Sequence, residues 1–195
     1  GGSNTLFLSD FSGVVLQIAN LGIEIDETSE AFHLHVSAGE NWHQLVLFTL
    51  KNSMPGLENL ALIPGLCGAA PVQNIGAYGV ELKDFLQYVD GFNLETKQFE
   101  RLSANECQLA YRDSIFKHAL KDKFIITAIG LALTKAWQPN CAYGPLKDLR
   151  DASAMQICEQ VISTRSSKLP DPQKIPNAGS FFKNPVIDSN SFKIL

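Results

Sequence analysis

The sequence predicts an α+β domain on three observations. A β-hairpin pattern lies in its middle, a long apolar β-branched run follows it, and helical periodicity is confined to two separate stretches. Residues 14–18 and 32–36 carry the alternation or β-branched content of strands, the first of them preceded by the turn sequence Gly1-Gly2-Ser3-Asn4. Residues 41–50 switch to helical spacing with Trp42, Leu45, Val46 and Thr49 on one face, and Pro55-Gly56 sets the limit of that helix. A Gly- and Pro-rich loop over 64–79 has no periodicity. Residues 88–92 and 98–102 flank Asn93-Leu94-Glu95-Thr96 as a hairpin. Ser103 with Glu106 three residues on has the form of a capping box opening a short helix. Residues 124–133 predict a buried strand, and 153–163 a helix through Ile157, Val161 and Ile162. The irregular stretch 168–184 is long enough to suggest a functional loop.

With 195 residues the chain can bury a real core. A net charge of -4 gives no footprint for nucleic acid, which excludes it as a partner, although local cations can still hold a small anion. The cysteines Cys67, Cys107, Cys141 and Cys158 are spaced too widely for a redox pair or a zinc knuckle, so reduced thiols and no metal are expected. No apolar run has the length of a membrane span and no secretory leader is visible, which predicts a cytoplasmic protein with no membrane partner. The opening without Met and the apolar pattern beginning at Ser191 read as part of a longer chain.

Three segments carry chemistry. The small residues of Pro64-Gly65-Leu66-Cys67-Gly68-Ala69-Ala70-Pro71-Val72-Gln73-Asn74-Ile75-Gly76-Ala77-Tyr78-Gly79 either solve turn geometry or let backbone N–H groups approach a pyrophosphate. In that second case Gln73 and Asn74 supply amides for the polar edge of a heterocycle, and Ile75 and Ala77 pack on its face. Arg112, in Tyr111-Arg112-Asp113-Ser114-Ile115-Phe116-Lys117, is either half of an Arg–Asp structural pair or an anion clamp. Ser180, in Asn177-Ala178-Gly179-Ser180-Phe181-Phe182-Lys183-Asn184-Pro185, is either a turn residue or a hydroxyl shielded by two aromatics. His33, His35, His43 and His118 match no site position.

Together these segments resemble the UDP-N-acetylenolpyruvoylglucosamine reductases over residues 1–185. The first looks like that family's flavin loop, and Gly1-Gly2-Ser3-Asn4 like its earlier pyrophosphate turn. The loop departs from the pattern at Leu66-Cys67 and Ala69-Ala70, where some members carry hydroxyls. The resemblance implies an FAD-binding fold of the vanillyl-alcohol oxidase type, a mixed small lobe plus an antiparallel sheet with helices. Its implied domains are the end of a first FAD lobe at 1–18, a second lobe at 19–165 and the truncated start of a substrate domain at 166–195.

It also implies NADPH-dependent conversion of UDP-N-acetylglucosamine enolpyruvate to UDP-N-acetylmuramate, for peptidoglycan synthesis, by a monomer with non-covalent FAD. The flavin contacts it implies are Gly2, Ser3, Asn4, Ile63, Pro64, Gly65, Gly68, Ala69, Gln73, Asn74, Ile75 and Gly76. Arg112 then holds the enolpyruvyl carboxylate beside Tyr111, and Ser180 protonates the adjacent carbon. Lys168, in Arg165-Ser166-Ser167-Lys168-Leu169-Pro170, joins Tyr143 and Asn184 at the diphosphate. A catalytic glutamate of the family is expected beyond Leu195. The alternatives are a non-catalytic FAD- or nucleotide-binding module, and another FAD-linked oxidoreductase of the same fold.

Overall fold

A computed structural model of the chain describes residues 8–168, 170, 174–175 and 183–188. In chain order its elements are β1 (Ile23–Glu27), β2 (Ala31–Ser37), α1 (Trp42–Lys51), β3 (Gly76–Ala77), β4 (Val80–Glu81), β5 (Leu86–Asn93), β6 (Gln98–Ser103), β7 (Phe124–Thr134) and α2 (Ala154–Lys168). Five strands form one sheet in the order β1-β2-β7-β5-β6, every neighbouring pair antiparallel. β3 and β4 make a separate two-stranded ribbon. The α+β class and the antiparallel sheet are therefore as the sequence predicts.

One sheet face carries the core. Leu34 and Val36 of β2 pair in register with Leu131 and Ile129 of β7, and all four belong to one buried cluster with Trp42, Leu45 and Val46 of α1 and Ile157 and Val161 of α2. β7 lies at the centre of the sheet, bonded on both sides, and its apolar run reflects the burial of Ile126, Ala128, Ile129, Leu131 and Leu133. α1 begins where expected, because Asn41 Oδ1 accepts the Gln44 N–H at 3.0 Å. Its Trp42 Nε1 donates to Leu60 O at 3.0 Å, satisfying the buried indole. α2 opens on a reciprocal cap between Ser153 and Gln156.

The other sheet face is polar and held by a layer that crosses four strands. Tyr88 of β5 lies flat over Gly130 of β7, where an added Cβ would meet the ring at 2.2 Å, and its hydroxyl reaches His35 Nδ1 of β2 at 3.0 Å. Arg101 of β6 covers the ring at 3.6 Å while pairing with both Asp90 oxygens at 2.7 Å. Gly130→Ala is expected to lift the ring and break the His35 contact, at a cost of about 1–3 kcal/mol for overpacking. Thermal unfolding checks it: the midpoint should fall by roughly 3–10 °C, while an unchanged midpoint would show that the ring has room to move.

Three expectations are corrected. Residues 14–18 form no strand: Val14, Val15 and Leu16 are exposed and unpaired, because β1 closes that edge of the sheet without them. Their alternation instead turns Val14, Leu16 and Ile18 toward one cleft. Ser103 and Glu106 do exchange capping bonds, at 2.8 and 3.4 Å, but no helix follows. Gln108, at φ 48°, turns the chain left-handed after a single turn. β1 itself shows no strand signal beyond its isoleucines, since Glu24, Asp26 and Glu27 give it an acidic, solvent-facing character. α2 runs unbroken from Ala154 to Lys168, beyond the helix expected over 153–163.

Candidate active site

The Gly-rich loop leaves α1 and ends in the β3–β4 ribbon. Two short 3-10 turns, Cys67–Ala69 and Pro71–Gln73, wind it against the sheet. Cys67 N donates to Glu40 O at 2.8 Å and Gly68 N to Ala38 O at 2.9 Å, which fix the loop's first half on the core. Asn74 fixes its second half. This residue is fully buried and left-handed at φ 45°. Its Nδ2 donates to Glu81 Oε2 at 3.0 Å and Ala110 O at 2.9 Å, and its Oδ1 accepts from Lys83 N at 3.0 Å.

Asn74 is thus the knot that ties loop, ribbon and the 110–113 turn together, and its amide is committed to the protein rather than to a heterocycle. Asn74→Ala removes three side-chain hydrogen bonds and leaves the Lys83 N–H without its acceptor, and is expected to cost about 1–3 kcal/mol. Denaturant unfolding checks this, and a loss under about 1 kcal/mol would mean that water replaces the amide.

Ile75 likewise turns its side chain into the core. Pro64, Gly65, Ala69 and Gln73 stand exposed, with Ile63, Gly68 and Gly76 half-buried. Beside the loop lies a cleft of about 490 Å³, walled by Leu66, Gly68 and Val72 on one side and by Phe116, Phe124 and Ile126 on another. An apolar cleft walled on one side by the glycine-rich loop has the character of a site for a planar ring, and the residues present fit the flavin of FAD on that ground. Gly2, Ser3 and Asn4 lie outside the described residues, as does Ser180.

Arg112 comes to the end of this loop. Its Nη2 donates to Gly76 O at 2.8 Å, across 36 residues of sequence. A Cβ at Gly76 would sit 3.2 Å from Nη1, so glycine there is what lets the guanidinium lie so close. Arg112 is itself left-handed at φ 53°, and Lys117 Nζ holds its carbonyl at 2.9 Å. The Arg–Asp pair that the sequence leaves open does not form. Asp113 takes His118 instead, at 2.8 Å, which together with its other neighbours draws its carboxyl below the usual range. Tyr111 lies between two cations, with Arg112 Cζ at 5.6 Å and Lys183 Nζ at 5.3 Å from its ring centre.

Tyr143 stands 57 % exposed and meets Tyr78 edge-on, ring centres 5.8 Å apart. Lys168 is the exposed last residue of α2, and Asn184 is exposed; no contact brings these two to Tyr143 among the described residues. Tyr78 and Arg165 carry weight that sequence reading did not assign, although both lie within the quoted motifs. Burial pushes the Tyr78 phenol up, with Arg165 opposing. All four thiols are free and buried, and burial raises Cys67 and Cys107 to about 12 and Cys158 to about 11, which leaves them protonated and inert. Among the described residues no cluster of three metal-ligating groups occurs, and no helix is long and apolar enough to cross a membrane.

A sheet of this topology with a glycine-rich rim over an apolar cleft is a flavin-type binding domain. Residues 1–98, half of the chain, match the family described as FAD binding domain, and the chain belongs to that family. At finer grain it is 55% identical over 194 residues, all of its own length, to a UDP-N-acetylenolpyruvoylglucosamine reductase of Pseudoalteromonas translucida. It is 56% identical over 188 residues to the one of Salmonella typhimurium. Among solved structures, the UDP-N-acetylenolpyruvylglucosamine reductase of Thermus caldophilus matches 77% of the chain with a TM-score of 0.58 at 26% identity.

The chain spans 58% and 55% of the two curated relatives and 48% of the solved one. The resemblance carried by the motifs is borne out, and FAD, the cofactor it implies, is the one the family description names.

Proposed function

We propose that the chain serves an NADPH-dependent flavoprotein reductase that converts UDP-N-acetylglucosamine enolpyruvate to UDP-N-acetylmuramate for peptidoglycan synthesis. The observation that carries this reading is the Arg112–Gly76 bond of 2.8 Å, which joins an anion-binding guanidinium to the rim of the flavin loop. Bound FAD supplies the hydride-transfer chemistry. The chain supplies position and charge. The N–H of exposed Gly65, with Gly2, Ser3 and Asn4, holds the cofactor's pyrophosphate, and Pro64 and Ala69 flank it. Arg112 clamps the enolpyruvyl carboxylate and stabilises negative charge that develops beside it.

Ser180 delivers a proton to the carbon next to that carboxylate, which a hydroxyl can do because the carbanionic centre is a strong base. Tyr111 flanks the carboxylate, while Tyr143, Lys168 and Asn184 hold the diphosphate. The work is done by a monomer in the bacterial cytoplasm, a compartment that suits four reduced thiols. The test is spectroscopic. The protein expressed from its full coding frame and loaded with FAD should lose its visible flavin absorbance on addition of NADPH and regain it on anaerobic addition of the enolpyruvyl sugar nucleotide. Bleached flavin that only oxygen can restore would overturn the substrate assignment.

A further inference from the structure

We infer that His118 is a positioning residue for Arg112: by occupying the Asp113 carboxylate it keeps that acid off the neighbouring guanidinium and leaves Arg112 open to the substrate's carboxylate. The inference rests on the reading above, in which Arg112 is the clamp. An arginine followed directly by an aspartate makes a poor anion site if the two pair, because an acid already in the guanidinium's fork competes with any carboxylate ligand. In this chain the acid is turned away and given another partner.

The backbone does the turning. Arg112 is left-handed at φ 53°, and paired bonds between Ala110 and Asp113, at 3.0 and 3.2 Å, close a tight turn around it. Asp113 then presents its two oxygens to His118 Nε2 at 2.9 and 2.8 Å, and its Oδ1 also accepts the Ser114 N–H at 3.0 Å. A carboxylate only accepts, so Nε2 carries the proton whatever the charge of the ring. His118 is itself held in place. The short 3-10 turn Ile115–Lys117 before it opens on Ser114, whose Oγ donates to Val72 O at 2.7 Å and accepts the Phe116 N–H at 3.2 Å, and Phe116 is buried. Val72 belongs to the Gly-rich loop that Arg112 reaches through Gly76, so His118 and Arg112 are fixed to the same loop.

Stability gives little reason for the pair. The His118 side chain is 65 % exposed and that of Asp113 34 %, and ion pairs this open contribute little to folding. The larger consequence of losing His118 is a carboxylate with two cations for neighbours. Arg112 precedes it in the chain, and Lys117, whose charge already acts on Asp113, holds Arg112 O at 2.9 Å. Pairing with the first occupies the clamp. Pairing with the second draws Lys117 from the carbonyl that steadies it.

The test uses the protein expressed from its full coding frame, loaded with FAD and reduced by NADPH, then mixed rapidly with the enolpyruvyl sugar nucleotide over a range of concentrations. His118→Ala should raise the half-saturating concentration about 3–10-fold, the scale of a surface ion pair competing with a ligand, and leave the limiting rate and the bleaching by NADPH within about twofold. Adding Asp113→Asn to His118→Ala should bring half-saturation back, because the competing charge is gone. His118→Gln, whose amide can donate from the place of Nε2, should recover part of it. An unchanged half-saturation in His118→Ala overturns the inference. So does a double variant no better than His118→Ala, since a merely structural pair is lost equally in both.

A second readout needs no substrate. The Arg112 Nε–H resonance of isotope-labelled protein, assigned by its loss in Arg112→Lys, should shift in His118→Ala and return in the double variant. If NADPH bleaches the unaltered protein and the sugar nucleotide does not reoxidise it, the reductase reading falls and this resonance decides His118. A shift that Asp113→Asn reverses upholds Asp113 as the competitor, and an unmoved resonance overturns the inference.

Discussion

Ser180→Ala is expected to leave bleaching of the flavin by NADPH within about twofold of the unaltered rate and to slow reoxidation by the enolpyruvyl substrate about 10²–10⁴-fold, the usual worth of a positioned proton donor. The expectation is asymmetric because the proton is needed only when the substrate's new carbanionic centre must be quenched. Nothing in the reductive half-reaction calls for it. Ser180 lies outside the described residues; Lys183, three residues on in sequence, has its ammonium 5.3 Å from the Tyr111 ring, and Tyr111 precedes Arg112. Rapid-mixing measurement of each half-reaction checks the prediction. Equal slowing of both would mean that the serine shapes the flavin site and donates no proton, and Ser180→Thr, which keeps a hydroxyl, should recover part of the oxidative rate.

Much of this arrangement is legible without coordinates where signals are local. Asn41 caps α1 and Ser153 caps α2 through bonds spanning three residues, and both helices run close to where their periodicity places them. β7 announces itself because a strand bonded on both sides and packed in the core tolerates little polarity. The misreadings are cases where a local pattern had no tertiary partner, or a tertiary partner had no local pattern. Residues 14–18 alternate correctly but face a cleft; β1 pairs with β2 despite an acidic sequence, since its side chains need to please only one neighbour and the solvent.

The site divides in the same way. Its loops are readable as motifs, yet the sequence does not reveal that Asn74 faces inward, because its carbonyl partner lies 36 residues away at Ala110. Nor does it reveal that Asp113 prefers His118 to the adjacent Arg112, a choice made by chain direction after the left-handed turn at Arg112.

Arg112→Lys is expected to slow the oxidative half-reaction about 10²–10³-fold, the range found when a preorganised donor to developing negative charge is removed. Charge is conserved in this substitution and geometry is not. The guanidinium spends Nη2 on Gly76 O and keeps other N–H groups of the same rigid plane for a ligand, so the bond that fixes the side chain also aims it. An ammonium on a shorter donor set must choose between the carbonyl and the carboxylate. It also leaves the ribbon less firmly held.

The left-handed backbone adds a second constraint. A residue at φ 53° carries a steric cost that the fold sustains only because Lys117 on the carbonyl and Gly76 on the guanidinium hold it from both sides. If Arg112 binds substrate in this way, the lysine variant should lose substrate affinity and oxidative rate together while NADPH still bleaches the flavin. An oxidative rate unchanged in Arg112→Lys would reduce the arginine to a strut for the ribbon, and the carboxylate would then need another partner.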